Sequence, residues 1–200
     1  MTRSHGGTAR IAWLAILFEA GLLLVAQFLG WVLDVSPLEN LRASFRAVAW
    51  GLLATLPLLG GMLLVSHSSW GPFRRIAEEI DEHLLPLFRN CTTLELALIA
   101  LAAGFGEEAL FRGALQGGLA GLLFPAAGIA LASVLFGLAH MITPTYAVLA
   151  ALVGLYLGGL FIWSDNLFVA IVTHASYDFV ALSYLVSRRP PPAQIASASR

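Results

Sequence analysis

The chain has 200 residues, of which 58% are hydrophobic and 12% are charged, with a mean hydropathy of +0.82. Soluble domains average about 25% charged residues, so this composition excludes an ordinary water-soluble domain and indicates a protein that lies in a membrane. The net charge of −1 excludes the basic surface that binds nucleic acid, and the single cysteine, Cys91, excludes an internal disulfide and a cysteine metal cluster.

Six apolar stretches approach the length of about 20 residues that a helix needs to cross the hydrocarbon layer. In chain order they are 11–33, 47–65, 92–119, 125–140, 146–163 and 167–186. Residues 71–90, between the second and third stretches, predict an amphipathic surface helix, since apolar residues recur there at helical spacing: Phe73, Ile76, Ala77, Ile80 and Leu84. The sequence therefore predicts an all-α, polytopic transmembrane helix bundle of about six spans plus one amphipathic surface helix.

The domain organisation and orientation follow from the same pattern. We expect a single integral membrane domain over residues 1–187, with its functional core at about 92–186, and a disordered, proline-rich tail at 188–200. Arginines lie before the first span, after the second and after the sixth, which places them on one side; Arg42 and Arg46 lie on the other. Because arginine-rich ends stay in the cytoplasm, both termini are expected there, and the expected location is the bacterial cytoplasmic (inner) membrane.

Ionisable side chains inside the spans are the strongest functional signal, because each costs several kcal/mol in lipid. They form three motifs: Glu107, Glu108 and Arg112 in the third span, His140 at the end of the fourth, and His174 with Asp178 in the sixth. Glu108 and Arg112 are four residues apart and can pair on one helix face. Glu107 points about 100° away and lacks that partner.

The depths of these groups can be compared along straight helices. At 1.5 Å per residue, Glu107 lies about 18 Å and His140 about 21 Å below the turn that joins their spans. His174 and Asp178 lie about 12 and 20 Å below the Asp165–Asn166 turn, on the same side. Three helices therefore deliver charged groups to overlapping depths, which predicts one shared site.

Two kinds of hydrolytic site fit these side chains, since no catalytic serine or cysteine is evident. In one, a carboxylate in a low-dielectric site acts as general base on water, a histidine orients the water and other groups stabilise an oxyanion. In the other, zinc or another divalent metal is held by four candidate ligands, Glu107, His140, His174 and Asp178. The HExxH signature of metalloproteases is absent.

Two other classes of protein remain open on these residues. A transporter or proton relay would also use buried glutamate, arginine and histidine, although no internal inverted repeat is found. The second of these classes is a non-catalytic membrane scaffold.

Several other residues receive no catalytic role. Glu19 and Glu95 are expected near interfaces or facing the bundle, and the acidic run at 78–82 is expected to be a solvated face. Three glycines are expected to let another helix or a substrate backbone approach closely: Gly104, Gly106 and Gly113.

Three motifs in this order carry a family resemblance: EEALFR fits EExxxR, FGLAH fits FxxxH, and HASYD fits HxxxN/D. Over about residues 92–186 the chain resembles the CPBP family, the CAAX prenyl endopeptidases and bacteriocin-processing proteins, also called the Abi family. The resemblance implies an all-helical intramembrane endopeptidase in the lipid bilayer, whose partner is a peptide or protein substrate with a membrane-associated segment. C-terminal or leader processing, protein sorting, and bacteriocin-type peptide maturation or immunity would each fit.

The resemblance also implies roles for the motif residues. Glu107 would be the base that activates water, helped by His140, while Glu108 and Arg112 would hold the geometry of the site and could touch substrate. Both a metal-dependent and a metal-free glutamate mechanism are compatible with the family, so zinc or another divalent metal stays an alternative.

The last motif departs from the usual family pattern. His174 and residue 178 would form the pair that stabilises the oxyanion, but many members carry asparagine where this chain has Asp178. An ionised carboxylate would repel an oxyanion. Asp178 must therefore be protonated, orient His174 or bind a metal.

Overall fold

The computed structural model describes residues 5–188, with side chains described from residue 10 onward, and this part of the chain is helical without β-strands. The α-helices are α1 (His5–Val32), α2 (Phe45–Ser66), α3 (Gly71–Glu79), α4 (Leu85–Phe88), α5 (Thr93–Glu108), α6 (Gly117–Leu122), α7 (Pro125–Ala139), α8 (Pro144–Ser164) and α9 (Leu167–Ser187). Two π-helical segments are inserted, π1 (Ile80–Leu84) and π2 (Ala109–Gln116). The predicted all-α class is confirmed.

The membrane-spanning helices correspond closely to the predicted spans. Among the described residues, four helices are long and apolar enough to cross a membrane: Arg10–Val32, Phe45–Ser66, Pro144–Ser164 and Leu167–Ser187. The predicted fourth span is the shorter apolar helix α7, and the third consists of α5, π2 and α6 placed end to end. The protein is thus a helical membrane bundle, while the number of six crossings and the single-domain organisation stay predictions.

The start of α5 is fixed by a capping box. The Thr92 hydroxyl oxygen accepts a hydrogen bond from the Glu95 backbone N–H at 3.2 Å, and the Glu95 carboxylate accepts one from the Thr92 backbone N–H at 2.7 Å. Glu95 is therefore a capping residue at the helix start. From this start, α5 carries its last two residues, Glu107 and Glu108, into the middle of the bundle.

The predicted surface helix is amphipathic but not continuous, because π1 separates α3 from α4. Ile76 is the one buried residue of the three segments, and Glu78, Asp81 and Glu82 are exposed. The acidic run is therefore a surface feature, as expected from its sequence.

Close packing of α5 depends on small residues. α5 packs against α1 and α9, α2 covers another side of α9, and α7 pairs with α8. A Cβ added to Gly104 would lie 2.9 Å from the Cβ of Ala175 in α9, and one added to Gly106 would collide with the carbonyl oxygen of Glu19 in α1. Gly113 meets the backbone of Pro37 in the same way. The predicted close approach of another helix is confirmed at Gly104 and Gly106, whereas Gly113 contacts the loop between α1 and α2.

The two ends of the bundle are distinct. At one end, Arg42 in the α1–α2 loop forms an ion pair with Asp165 at 3.4 Å, and its backbone N–H donates to the Asn166 side-chain oxygen at 3.0 Å. At the other end, an apolar cluster joins the first part of α1, the start of α5 and the last part of α9. The distribution of arginines over the two sides and the compartment that each end faces stay predictions. The predicted disordered tail lies outside the described residues, except for Arg188.

Candidate active site

A buried ion pair forms the base of the site. Glu108 is 0% exposed, and its Oε1 accepts a hydrogen bond from Arg112 Nη1 at 2.9 Å and one from His174 Nδ1 at 2.7 Å. Arg112 is 2% exposed, donates from Nη2 to the Gly154 carbonyl at 3.1 Å and lies 4.6 Å above the Phe136 ring. The predicted Glu108–Arg112 pair is confirmed, and it additionally binds α8 and α9 to the third span.

A π-helix directly follows the two glutamates. In π2 the helix turns are wider than in an α-helix, and such segments are frequent at functional sites. Arg112 and Gln116 are both buried here and donate to the carbonyls of Gly154 and Gly158 in α8, at 3.1 and 3.3 Å. The widened helix therefore seats Arg112 on α8 while Glu108 faces α9. The sequence prediction of a regular helix through this segment was wrong, because its all-round burial hides any change of period.

Glu107 faces away from this pair, as predicted. Its Oε2 lies 3.5 Å from His140 Nε2 and 3.9 Å from His174 Nε2. The residue is 8% exposed, and this oxygen accepts no hydrogen bond within the part of the chain that the structure describes. The predicted convergence of α5, the end of α7 and α9 on one site is therefore confirmed.

His140 is held in one orientation by its own helix end. It terminates α7, its Nδ1 lies 2.9 Å from the Phe136 carbonyl oxygen, and its ring stacks on the Phe136 ring at 4.4 Å. Because a carbonyl oxygen only accepts, Nδ1 carries the hydrogen in this bond. In the neutral ring, Nε2 is then left as the acceptor that faces Glu107.

His174 lies between two carboxylates. Its Nδ1 donates to Glu108, and its Nε2 lies 3.4 Å from Asp178 Oδ2. The His174 side chain is 6% exposed and that of Asp178 is 28% exposed. Asp178 therefore lies on the more open side of the ring, and the predicted His174–Asp178 pairing on one helix face is confirmed.

Three residues near the site had received no role in the sequence analysis. Glu19 of α1 lies close enough to Asp178 and His174 for their charges to interact. Tyr146 of α8 and Tyr177 of α9 lie within reach of the charge of Asp178. A carboxylate in the middle of an apolar span was a usable signal for Glu19, whereas a tyrosine in such a span gives none.

The arrangement of the side chains also bears on the metal alternative. Within residues 5–188, no group of three or more histidine, cysteine, aspartate or glutamate side chains is arranged to hold a metal ion. Binding of zinc or another divalent metal stays a prediction, with these candidate ligands: Glu107, His140, His174 and Asp178.

The part of the chain that carries these side chains also matches a known protein family. Residues 89–180 match the family model described as type II CAAX prenyl endopeptidase Rce1-like. No curated protein and no solved structure matches the chain. The matched segment runs from just before α5 into α9 and contains the three motifs whose side chains meet in the bundle. Over residues 89–180, the match supports the predicted resemblance to the CPBP/CAAX protease family of membrane endopeptidases.

Proposed function

We propose that this protein is an intramembrane endopeptidase that hydrolyses a peptide bond of a membrane-associated protein or peptide, with Glu107 activating the attacking water. The observation that carries the proposal is the position of Glu107 Oε2, a buried oxygen that faces the Nε2 atoms of His140 and His174 at 3.5 and 3.9 Å. These separations are longer than good direct hydrogen bonds, so Glu107 Oε2 remains able to accept a hydrogen bond from a water molecule that contacts it.

In the proposed first step, Glu107 takes a proton from this water while the water oxygen attacks the carbonyl carbon of the peptide. His140 Nε2 accepts a hydrogen bond from the other O–H of the water and so orients the nucleophile. The carbonyl π electrons move to oxygen and give a tetrahedral oxyanion. Glu107 then delivers the proton to the amide nitrogen as the C–N bond breaks, which leaves a carboxylic acid and an amine. The acid passes its remaining proton to the amine, and the products are a carboxylate and an ammonium group.

His174 is the proposed donor to the oxyanion. Its Nδ1 is directed at Glu108, so Nε2 is the nitrogen that can face a substrate. This role requires hydrogen on both ring nitrogens, and a preorganised donor of this kind contributes strongly to transition-state stabilisation. Of the roles considered for Asp178, orientation of the His174 ring is supported by the 3.4 Å separation between Oδ2 and Nε2.

Glu108 and Arg112 are proposed to hold the site rather than to act as base. Glu108 Oε1 already accepts two hydrogen bonds, and Arg112 neutralises the carboxylate inside the bundle. Glu108 Oε2 accepts no hydrogen bond among the described residues, but Glu108 is 0% exposed. Glu107 is 8% exposed and faces both imidazoles, so it is the carboxylate that we propose water reaches.

The proposed substrates are C-terminal or leader segments of membrane-associated proteins. Processing, protein sorting, and bacteriocin-type peptide maturation or immunity are the candidate roles, and they rest on the family resemblance. The substrate class is supported by a site that lies within the bundle, where α5 and the end of α7 meet α8 and α9, two helices that are long and apolar enough to cross a membrane.

The test uses the full chain purified in detergent and a panel of apolar peptides that carry a fluorophore and a quencher on either side of the cleavable region. Wild type is expected to cleave at least one peptide, and Glu107→Gln and His174→Ala are expected to lose cleavage. Glu78→Gln, which changes an exposed glutamate of α3, is the matched control. The same assay with a chelator, together with metal analysis, tests the metal alternative.

Each outcome has a defined meaning. Unchanged cleavage by Glu107→Gln would contradict the proposed base. Activity that is lost on chelation and restored by zinc would replace the metal-free mechanism with a metal-dependent one. Glu107-dependent proton flux in vesicles, without cleavage of any peptide, would favour the proton-relay alternative.

A further inference from the structure

Glu19 is a carboxylate in the middle of the first membrane-spanning helix, outside the matched family segment. Its backbone carbonyl lies directly against Gly106, the residue before Glu107. Its Oε2 is buried and, among the described residues, has no hydrogen-bond partner. A carboxylate at such a depth costs several kcal/mol unless it is paired with a cation or protonated, so Glu19 requires one of the two.

Among the residues whose side chains the structure describes, the charged groups around Glu19 provide no free cation. α1 packs against α4, which contains no titratable residue, and against α5 and π2, which contribute Glu107, Glu108 and Arg112. Arg112 is already bound to Glu108. The remaining neighbours are on α9, where His174 lies between Glu108 and Asp178.

The site therefore contains more carboxylates than cations. Glu19, Glu107, Glu108 and Asp178 face one permanently charged arginine and the rings of His140 and His174. A cation supplied from outside the chain would be attracted to this region. The open side of the site, where Asp178 is 28% exposed, is the side from which it can enter.

We propose that Glu19 is a specificity residue that binds a positively charged group of the substrate, a basic side chain or a free amino terminus, next to the bond that is cut. The inference rests on the proposed endopeptidase function and adds a substrate class to it. In a low-dielectric site, an ion pair formed with the substrate has a large effect on discrimination, because a neutral substrate leaves the carboxylate unpaired.

The test compares peptides that differ in one group. Arginine is moved one position at a time through a cleaved peptide, and each version is matched with one that carries citrulline, a neutral group of nearly the same shape. For wild type, the ratio of kcat/KM for arginine over citrulline is expected to reach about tenfold or more at one position. For Glu19→Gln, that ratio is expected to fall close to one, and Glu39→Gln, which removes an exposed carboxylate, is expected to keep the wild-type ratio.

Binding of the same peptide pairs, followed by fluorescence anisotropy, decides the inference even if no peptide is cut. An arginine preference in binding that depends on Glu19 would support the cation site while the endopeptidase proposal failed separately. Equal ratios in wild type and Glu19→Gln would overturn the inference. A pH profile that changes in Glu19→Gln with an unchanged ratio would also overturn it and make Glu19 a proton partner of Asp178.

Discussion

Two regions of this protein share a pair of adjacent glutamates with a basic residue four positions after the second glutamate, and they differ in their surroundings. In the surface helix, Glu78 and Glu79 end α3 and π1 follows; in the third span, Glu107 and Glu108 end α5 and π2 follows. Each region also contains an ion pair between residues four apart. Adjacent glutamates before a π-helix are therefore not by themselves an active site.

Burial separates the two regions. The Glu79–His83 pair is 3.2 Å long, and its side chains are 39% and 61% exposed. The Glu108–Arg112 pair is 2.9 Å long with both side chains at 2% exposure or less. Water screens the first pair, whereas the second interacts in a low dielectric and is ordered by α8 and α9. The same residue types thus acquire chemistry only where other helices exclude water and add partners.

The largest expected difference between the regions is catalytic. Glu107→Gln removes the proposed base and is expected to lower kcat about 10²- to 10⁴-fold, while Glu78→Gln leaves it near wild type. The peptide cleavage assay measures both, with circular dichroism to confirm that the variants are folded. Equal activity of the two variants would remove the distinction between the regions.

The next difference concerns stability. Glu108→Gln leaves Arg112 as an uncompensated buried charge and is expected to cost about 3–5 kcal/mol in the free energy of unfolding. Unfolding by a denaturing detergent, followed by circular dichroism, measures it. In the double variant Glu108→Gln/Arg112→Met, the uncompensated charge is absent, so part of the stability is expected to return. No recovery would show that the ion pair is not the source of the cost.

A smaller effect is expected from helix packing beside the site. Gly106→Ala places a Cβ against the carbonyl oxygen of Glu19 and is expected to destabilise the bundle by about 1–3 kcal/mol, because α1 has to move away. Gly71→Ala in the surface helix meets nothing within 4 Å and serves as the control. Equal stability of both variants in the detergent unfolding assay would contradict the close contact between α1 and α5.

The smallest effect is expected in the surface region. His83→Ala breaks the exposed pair with Glu79 and is expected to change the free energy of unfolding by less than about 1 kcal/mol, with cleavage activity unchanged. A large loss of activity in this variant would give the acidic run a role that its exposure does not predict.

The sequence pattern was sufficient for the fold class and for most of the site. Long apolar stretches predicted the helices, since a membrane-spanning helix must satisfy its own backbone hydrogen bonds. Depth along straight helices predicted that Glu107, His140, His174 and Asp178 meet, because the helical rise is nearly constant. Glu19 was visible as a charge in a span, but nothing in its helix indicated which neighbour it would face.

Sequence alone determined that charges lie inside a helical membrane bundle, because composition and period act locally along the chain. Tertiary structure alone decided which carboxylate is occupied and which is available. Glu108 Oε1 is bound by Arg112 and by His174, which is 66 residues away along the chain, whereas Glu107 Oε2 faces two imidazole nitrogens. The packing of α1 likewise placed Glu19 beside Asp178 and His174. Such pairings depend on how helices rotate and pack against each other, and that information is spread over the whole bundle rather than held in any one motif.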